Sequence, residues 1–191
     1  VFNVCIFGET DYIVNRKGTK KNDLIFVTGP FGYTSAGLSV LIDKKKEPKV
    51  FVKKVIESVM RPKPRLDFGL KNKKYFSSSM DSSDGLSTTL NEMSKQSKKK
   101  FMINNTPSKK DLETYARLQK QNFKELVFHG GEEYEFVFTI NPKHKQIILK
   151  NAKSLKIPII EIGYVDSGRG VFVQENNKNI RLKDLGWKHF R

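Results

Sequence analysis

Cysteine, acidic residues and long apolar runs are scarce in this chain, and each shortage excludes something. The single cysteine, Cys5, cannot form an internal disulfide; lying in the apolar run 1–7 with no histidine near it in sequence, it is expected to be a buried core thiol. No apolar stretch reaches the roughly 20 residues that cross a bilayer, and no charged-then-apolar leader opens the sequence, so a cytoplasmic protein with no membrane partner is expected. Only 20 Asp and Glu stand against 36 Lys and Arg, leaving a formal charge of +16. That surplus raises encounter rates with phosphorylated ligands. The lysines cluster at 44–46, 53–54, 71–74 and 98–100, at expected helix ends and in loops, without the interleaved aromatics of a stacking platform. They read as solvated surface, no nucleic-acid partner is expected, and 71–74 is expected to be an exposed loop.

What is present is concentrated in two places. In Ser79-Met80-Asp81-Ser82-Ser83-Asp84-Gly85-Leu86 two carboxylates stand three residues apart, where an extended run (75–80) gives way to helical spacing at Leu86, Leu90 and Met93. Hard carboxylates so placed are a candidate magnesium site. Capping chemistry alone selects the same residue types: Ser82 or Ser83 as N-cap and Asp84 in the first turn would suit a helix over 83–98. The second cluster, His129-Gly130-Gly131-Glu132-Glu133-Tyr134-Glu135-Phe136, sets paired glycines and three acids beside the apolar strand 136–140. Glycines allow close approach of a ligand, and carboxylates beside a buried strand are costly unless paired with cations or a metal. A Gly-Gly turn with solvated acids is the plain alternative.

The two clusters fall into a longer ordered set. Arg16-Lys17-Gly18 through Asp23, followed by Ile25-Phe26-Val27-Thr28-Gly29, is similar to "R-x-G-A-x-x-G-D-x-I-x-V-T-G"; Phe31 to Leu38 is similar to "L-G-x-S-A-A-G-L". Arg61 to Arg65 with Gly69 is similar to "P-x-P-R-x-x-x-G", Met80 to Leu86 to "M-D-x-S-D-G-L", Gly130 to Phe136 to "G-G-E-D-Y-E-L", and Gly186-Trp187-Lys188-His189-Phe190 to "G-[aromatic]-x-H-F". In this order the motifs resemble those of the thiamine-monophosphate kinases, within the aminoimidazole-ribonucleotide-synthetase-like superfamily, over nearly the whole chain.

The resemblance implies an ATP- and magnesium-dependent transfer of phosphate to thiamine monophosphate, giving the diphosphate. It implies that Asp81 and Asp84 hold magnesium, with Asp84 central to catalysis, that Ser83 donates to a phosphate oxygen and that Arg16 contacts ATP. Glu132 and Trp187 would hold the thiamine phosphate, Trp187 by stacking; docking of the 186–190 tail on the core would explain the same residues. Glu9 stands where the family has a metal-ligating aspartate and would be a further magnesium ligand, though one methylene longer than the aspartate it replaces at an exacting octahedral ion. Family members are close to twice this length, so the chain reads as a C-terminal piece: residues 1–22 a remnant of an N-terminal domain and connector, opening in a strand, and 23–191 a C-terminal α/β domain. The absent half would supply further metal ligands, a glycine-rich nucleotide loop and a homodimer interface, and the piece alone should be inactive. Other reactions of the superfamily, or a non-catalytic interaction fragment, are the alternatives. His129 and His144 receive no role.

Periodicity predicts alternating strands and helices, hence an α/β (α+β) fold with a sheet covered by helices; the resemblance adds that the sheet is mostly antiparallel. Strands are expected over 23–28, 101–104, 157–165 and 170–174, the last two joined by a turn at 166–169. Helices are expected over 34–45 with Leu38, Leu41 and Ile42 facing the core, over 48–60, over 108–119 capped by Ser108, and over 142–153 capped by Asn141. Residues 125–128 are expected to be a connector.

Overall fold

The computed structural model describes residues 3–43 and 48–187. Seven strands form one mixed sheet: β1 (Leu24–Val27), β2 (Phe76–Ser82), β3 (Lys100–Ile103), β4 (Glu135–Ile140), β5 (Ile160–Asp166), β6 (Gly170–Glu175) and β7 (Lys178–Arg181), in the order β2-β4-β1-β5-β3-β6-β7. Every neighbouring pair is antiparallel except β3 with β6. The strands look continuously apolar because both faces are covered. Ile25, Val27 and Val137 point to one side, while Phe26, Phe138 and Ile140 point to the other.

The larger layer contains α1 (Tyr33–Asp43), α2 (Lys49–Met60), α4 (Leu86–Ser97), α5 (Lys110–Leu118) and α6 (Phe123–His129), packed around Leu86, Leu90, Met93, Phe101, Tyr115 and Phe128. The smaller layer is α3 (Leu66–Asn72) and α7 (Lys145–Ser154), closing over Phe68, Phe76, Phe138 and Ile148. Rings dominate here: Phe138 lies 4.7 Å from Phe76 and 5.5 Å from Phe68, centroid to centroid. Asn72 secures the layer by donating to the Phe68 carbonyl and accepting from Asn151, each at 2.8 Å.

Several expectations change in the folded chain. Leu38, Leu41 and Ile42 are 52%, 42% and 69% exposed; α1 instead buries Tyr33, Thr34, Ala36, Gly37 and Val40. Gly37 lies so close to the Val55 backbone that a side chain there would collide, so the small-residue face, not the most apolar one, meets α2. The end of the expected 34–45 helix, and the lysine run 44–46, lie outside the described residues. Cys5 is exposed, in a segment, residues 3–10, that forms no strand and is exposed throughout. Helix α4 begins after Gly85, which occupies the cap position at φ +111°; Ser82 belongs to β2, and neither serine caps nor does Asp84 enter the first turn. Ser108 donates to the Phe31 carbonyl instead of capping, since α5 starts later, at Lys110. Residues 125–128 lie inside α6, whose cap is Asn122, accepting from the Lys124 and Glu125 amides. The lysines at 71–74 are not a loop but the end of α3 and a following 3-10 turn. Strand β7, lacking an apolar pattern, was invisible except for Asn176 and Asn177, both at positive φ, which suit a tight hairpin turn from β6.

Leu90, fully buried between α4 and the sheet, tests this core. Leu90→Ala should lower unfolding free energy by about 2–5 kcal/mol, read from urea denaturation curves.

Candidate functional site

Pairing of β2 with β4 sets Asp81 opposite Phe136 and Ser82 opposite Glu135. The ladder runs on past the end of β4: the Tyr134 N–H donates to the Ser82 carbonyl at 2.9 Å and the Glu132 N–H to the Ser83 carbonyl at 2.6 Å. The two sequence clusters are thereby one structure. Gly131 fits because a Cβ there would stand 2.7 Å from the Ser83 oxygen. Glu132 and Tyr134 adopt positive φ, 67° and 52°, a conformation that costs a non-glycine residue about 1–3 kcal/mol and is held only where surroundings impose it.

Along this segment alternate residues diverge. Glu133 and Glu135 turn inward. Glu133 Oε1 accepts from the Gly32 amide at 2.6 Å and the Thr34 amide at 3.2 Å, satisfying free donors at the start of α1. Burial outweighs those bonds and, with Glu135 nearby, pushes its carboxyl up to about 7. Glu135 is held by both arms of Arg65, Nε at 2.7 Å and Nη2 at 2.5 Å, and by the Thr28 hydroxyl at 2.5 Å. This pair is largely shielded from solvent, and removing either partner strands a buried charge. Glu132 and Tyr134 turn outward, the tyrosine hydroxyl donating to Glu132 Oε2 at 2.6 Å. That bond, with Glu132, Asp81 and Asp84 all nearby, raises the Tyr134 hydroxyl above its ordinary range and keeps it protonated.

Two clefts meet at Asp81. One, of about 390 Å³, is bordered by Thr10, Arg16, Lys73, Ser79 and Leu70; the other, of about 450 Å³, is walled by Pro62, Pro64, Leu66, Tyr134 and Phe136. Asp81 is exposed, Asp84 and Ser83 are half-buried, and Arg16 and Glu132 are exposed. Trp187 is 65% exposed, its backbone N–H donating to the Asp84 carbonyl at 2.9 Å, while Gly186 fits tightly between Asp84 and Thr88. His189 and Phe190, the expected tail-docking residues, lie outside the described residues.

Thus Asp81, Ser83, Asp84, Glu132 and Trp187 are gathered in one region and Arg16 shares a cleft with Asp81. Glu9 sits in the exposed 3–10 segment, and among the described residues no three acid, histidine or cysteine side chains are grouped as a metal site. The donor set nonetheless suits magnesium in part, since that ion commonly takes one or two carboxylates and completes its shell with water and substrate phosphates. Sequence reading overlooked Arg65 with Glu135, the inward role of Glu133, and Tyr134. Glu132-Glu133-Tyr134-Glu135 carries no polarity pattern that separates inward from outward acids, so the three acids read as one charged patch. His129, left without a role, makes a 2.9 Å hydrogen bond with Ser87, and burial lowers its pKa.

No protein-family model matches the chain. Among curated proteins it is similar to the thiamine-monophosphate kinase of Nitrosopumilus maritimus (strain SCM1), 69% identical over 191 residues, covering all of this chain and 61% of that protein. It is also similar to the thiamine-monophosphate kinase of Aquifex aeolicus (strain VF5), 35% identical over 190 residues, covering 98% of this chain and 58% of that protein. A solved structure, AaThiL complexed with AMPPCP and TMP, superposes with a TM-score of 0.78 at 33% identity, covering 95% of this chain and 55% of the other. The chain therefore spans a little over half the length of the relatives it matches.

Between the usual carboxyl value of 4.5 and about 7, folded Glu133 keeps a proton that the unfolded chain has lost. Stability from this residue is complete below that window, falls as pH rises through it, and levels off above. Glu133→Gln, which keeps an oxygen for the Gly32 and Thr34 amides, should melt like the parent at pH 4 and higher than it at pH 8; equal melting at both would contradict the assignment.

Proposed function

We propose, since the chain belongs to the thiamine-monophosphate kinase family along its whole length, that it forms part of an enzyme transferring the γ-phosphoryl group of ATP to thiamine monophosphate. The observation that carries this reading is the convergence of Asp81, Ser83 and Asp84 with Glu132 and Trp187, two sequence-distant sets joined by backbone hydrogen bonds. A phosphate oxygen of the acceptor attacks the γ-phosphorus as the bond to the ADP oxygen breaks. Because both reactants are polyanions, most of the catalytic task is neutralising charge and aligning oxygens.

Asp81 and Asp84 are the residues that would hold magnesium, which supplies positive charge to the phosphate oxygens when bound. Ser83 donates a hydrogen bond to a phosphate oxygen. Arg16, which lines the same cleft as Asp81, offers its guanidinium to the nucleotide phosphates. Glu132 faces the amino-bearing or cationic rings of the acceptor, and Trp187 gives them an electron-rich surface. The surrounding lysine surface draws both phosphorylated substrates in. Magnesium dependence, a homodimer formed through a further N-terminal domain and a cytoplasmic location complete the proposal. Residues 1–22 are assigned to that domain and its connector. Glu9, in the exposed segment beside Thr10, is not grouped with Asp81 and Asp84 among the described residues and is assigned no step.

The test is formation of thiamine diphosphate from thiamine monophosphate, ATP and magnesium by the full-length gene product and by this 191-residue chain. Product is expected from the former, with little or none from the latter. In the full-length protein Asp84→Asn should abolish turnover while leaving the melting temperature nearly unchanged; near-normal turnover would remove Asp84 from its role.

A further inference from the structure

The acid cluster carries a residue whose placement the proposed roles leave unused. Tyr134 lies between the carboxylates assigned to the metal and the one assigned to the acceptor, and it walls the apolar cleft that opens at Asp81. Its backbone is fixed: positive φ, with the N–H committed to the Ser82 carbonyl. Its side chain is fixed at the far end by the 2.6 Å hydrogen bond to Glu132 Oε2. Glu132 is anchored in the same way, by positive φ and its N–H on the Ser83 carbonyl. An exposed glutamate ordinarily samples many rotamers. Here a phenol directs it.

We propose that Tyr134 is a positioning residue for the acceptor: its hydroxyl orients the Glu132 carboxylate, and its ring, with Phe136, Leu66, Pro62 and Pro64, forms the wall against which a flat, cationic ring lies beside Asp81. This rests on the function proposed above. Three features support that occupant. The cleft is apolar apart from Arg65 and Asp81, and Arg65 is already engaged with Glu135. The Tyr134 hydroxyl is bonded to the Glu132 carboxylate and Asp81 lines the same cleft, so in a protein of charge +16 this mouth carries negative charge and favours a cation. An electron-rich phenol face adds to that preference. The hydroxyl donates to Glu132 Oε2, as a phenol protonated at neutral pH does. A carboxylate held at one oxygen keeps the other for the ligand. The arrangement selects a ring bearing positive charge or amino hydrogens over a neutral ring of equal size, since the latter would leave Glu132 without a partner on that side.

The experiment uses the full-length protein, with binding of thiamine monophosphate measured by calorimetry in the absence of ATP, alongside steady-state kinetics. Tyr134→Phe removes only the hydroxyl. It should weaken binding of thiamine monophosphate about tenfold and raise its KM to a similar degree, with the KM for ATP and the melting temperature little changed. Combined with Glu132→Gln, the loss should be well short of the product of the two single effects, because one interaction is removed twice. Binding unaltered by Tyr134→Phe, or effects of the two variants that multiply, would overturn the positioning role alone. Absence of thiamine monophosphate binding by the unmodified protein would overturn the functional reading and this inference together, whereas binding without turnover would overturn only the reaction.

Discussion

Antiparallel pairing of β2 with β4 is the constraint on which the site depends. Residues near 82 and near 133 carry chemistry of little use when apart, and a few backbone hydrogen bonds past the formal end of the ladder bring them together. The pairing is secured from behind by packing that has nothing to do with ligands. Phe76 and Phe138 meet on one face, while Val137 enters the larger core on the other. Strand alternation turns Glu135 and Val137 to the same inner face, while just before β4 the left-handed backbone of Glu132 and Tyr134 turns those side chains to the surface and leaves Glu133 facing in. A register slip of one residue in β4 would carry Glu135 off the face where Arg65 and Thr28 hold it.

Electrostatically the molecule divides its labour. Its excess of positive charge is spread along the sequence, some of it mid-helix at Lys53 and Lys54 and some at the ends of helices and strands, with Lys54, Lys100 and Lys145 paired to acids. The negative charges that matter are gathered at the edge of the β2–β4 pair. Of these, one is neutralised by a guanidinium, one is partly neutralised by a proton, and the others remain open to solvent and to ligand. Neighbouring glutamates in one short segment thus have different fates, each determined by burial and partner rather than by residue type.

Most strands and most helices are legible because they rest on local periodicity: Leu86, Leu90 and Met93 define the buried face of α4 as spacing requires, whereas β7, with no apolar pattern, is not. The failures were of another kind. The α1 face was misassigned because closeness to α2 at Gly37 outweighs the hydrophobicity of Leu38 and Ile42, and backbone approach is not written in a polarity pattern. Ser108 and the serines before α4 were credited with caps because residue type favours it, yet β2 and the Phe31 carbonyl had prior claims on them. At the site, residue identities pointed to chemistry through the family resemblance, while the partners of Glu133 and Glu135 are long-range and became visible only in three dimensions.

The backbone hydrogen bond between Trp187 and the Asp84 carbonyl joins residues about a hundred apart in sequence, next to the Thr88–Asp184 and Asn91–Leu182 bonds that hold 182–184 against α4. Most other contacts of the 81–84 turn come from segments much nearer in sequence. The 81–84 turn is thus buttressed from the far end of the sequence, with Gly186 packed against Asp84 and Thr88, so a change confined to the last residues of the described chain reaches the Asp84 backbone directly without passing through the core.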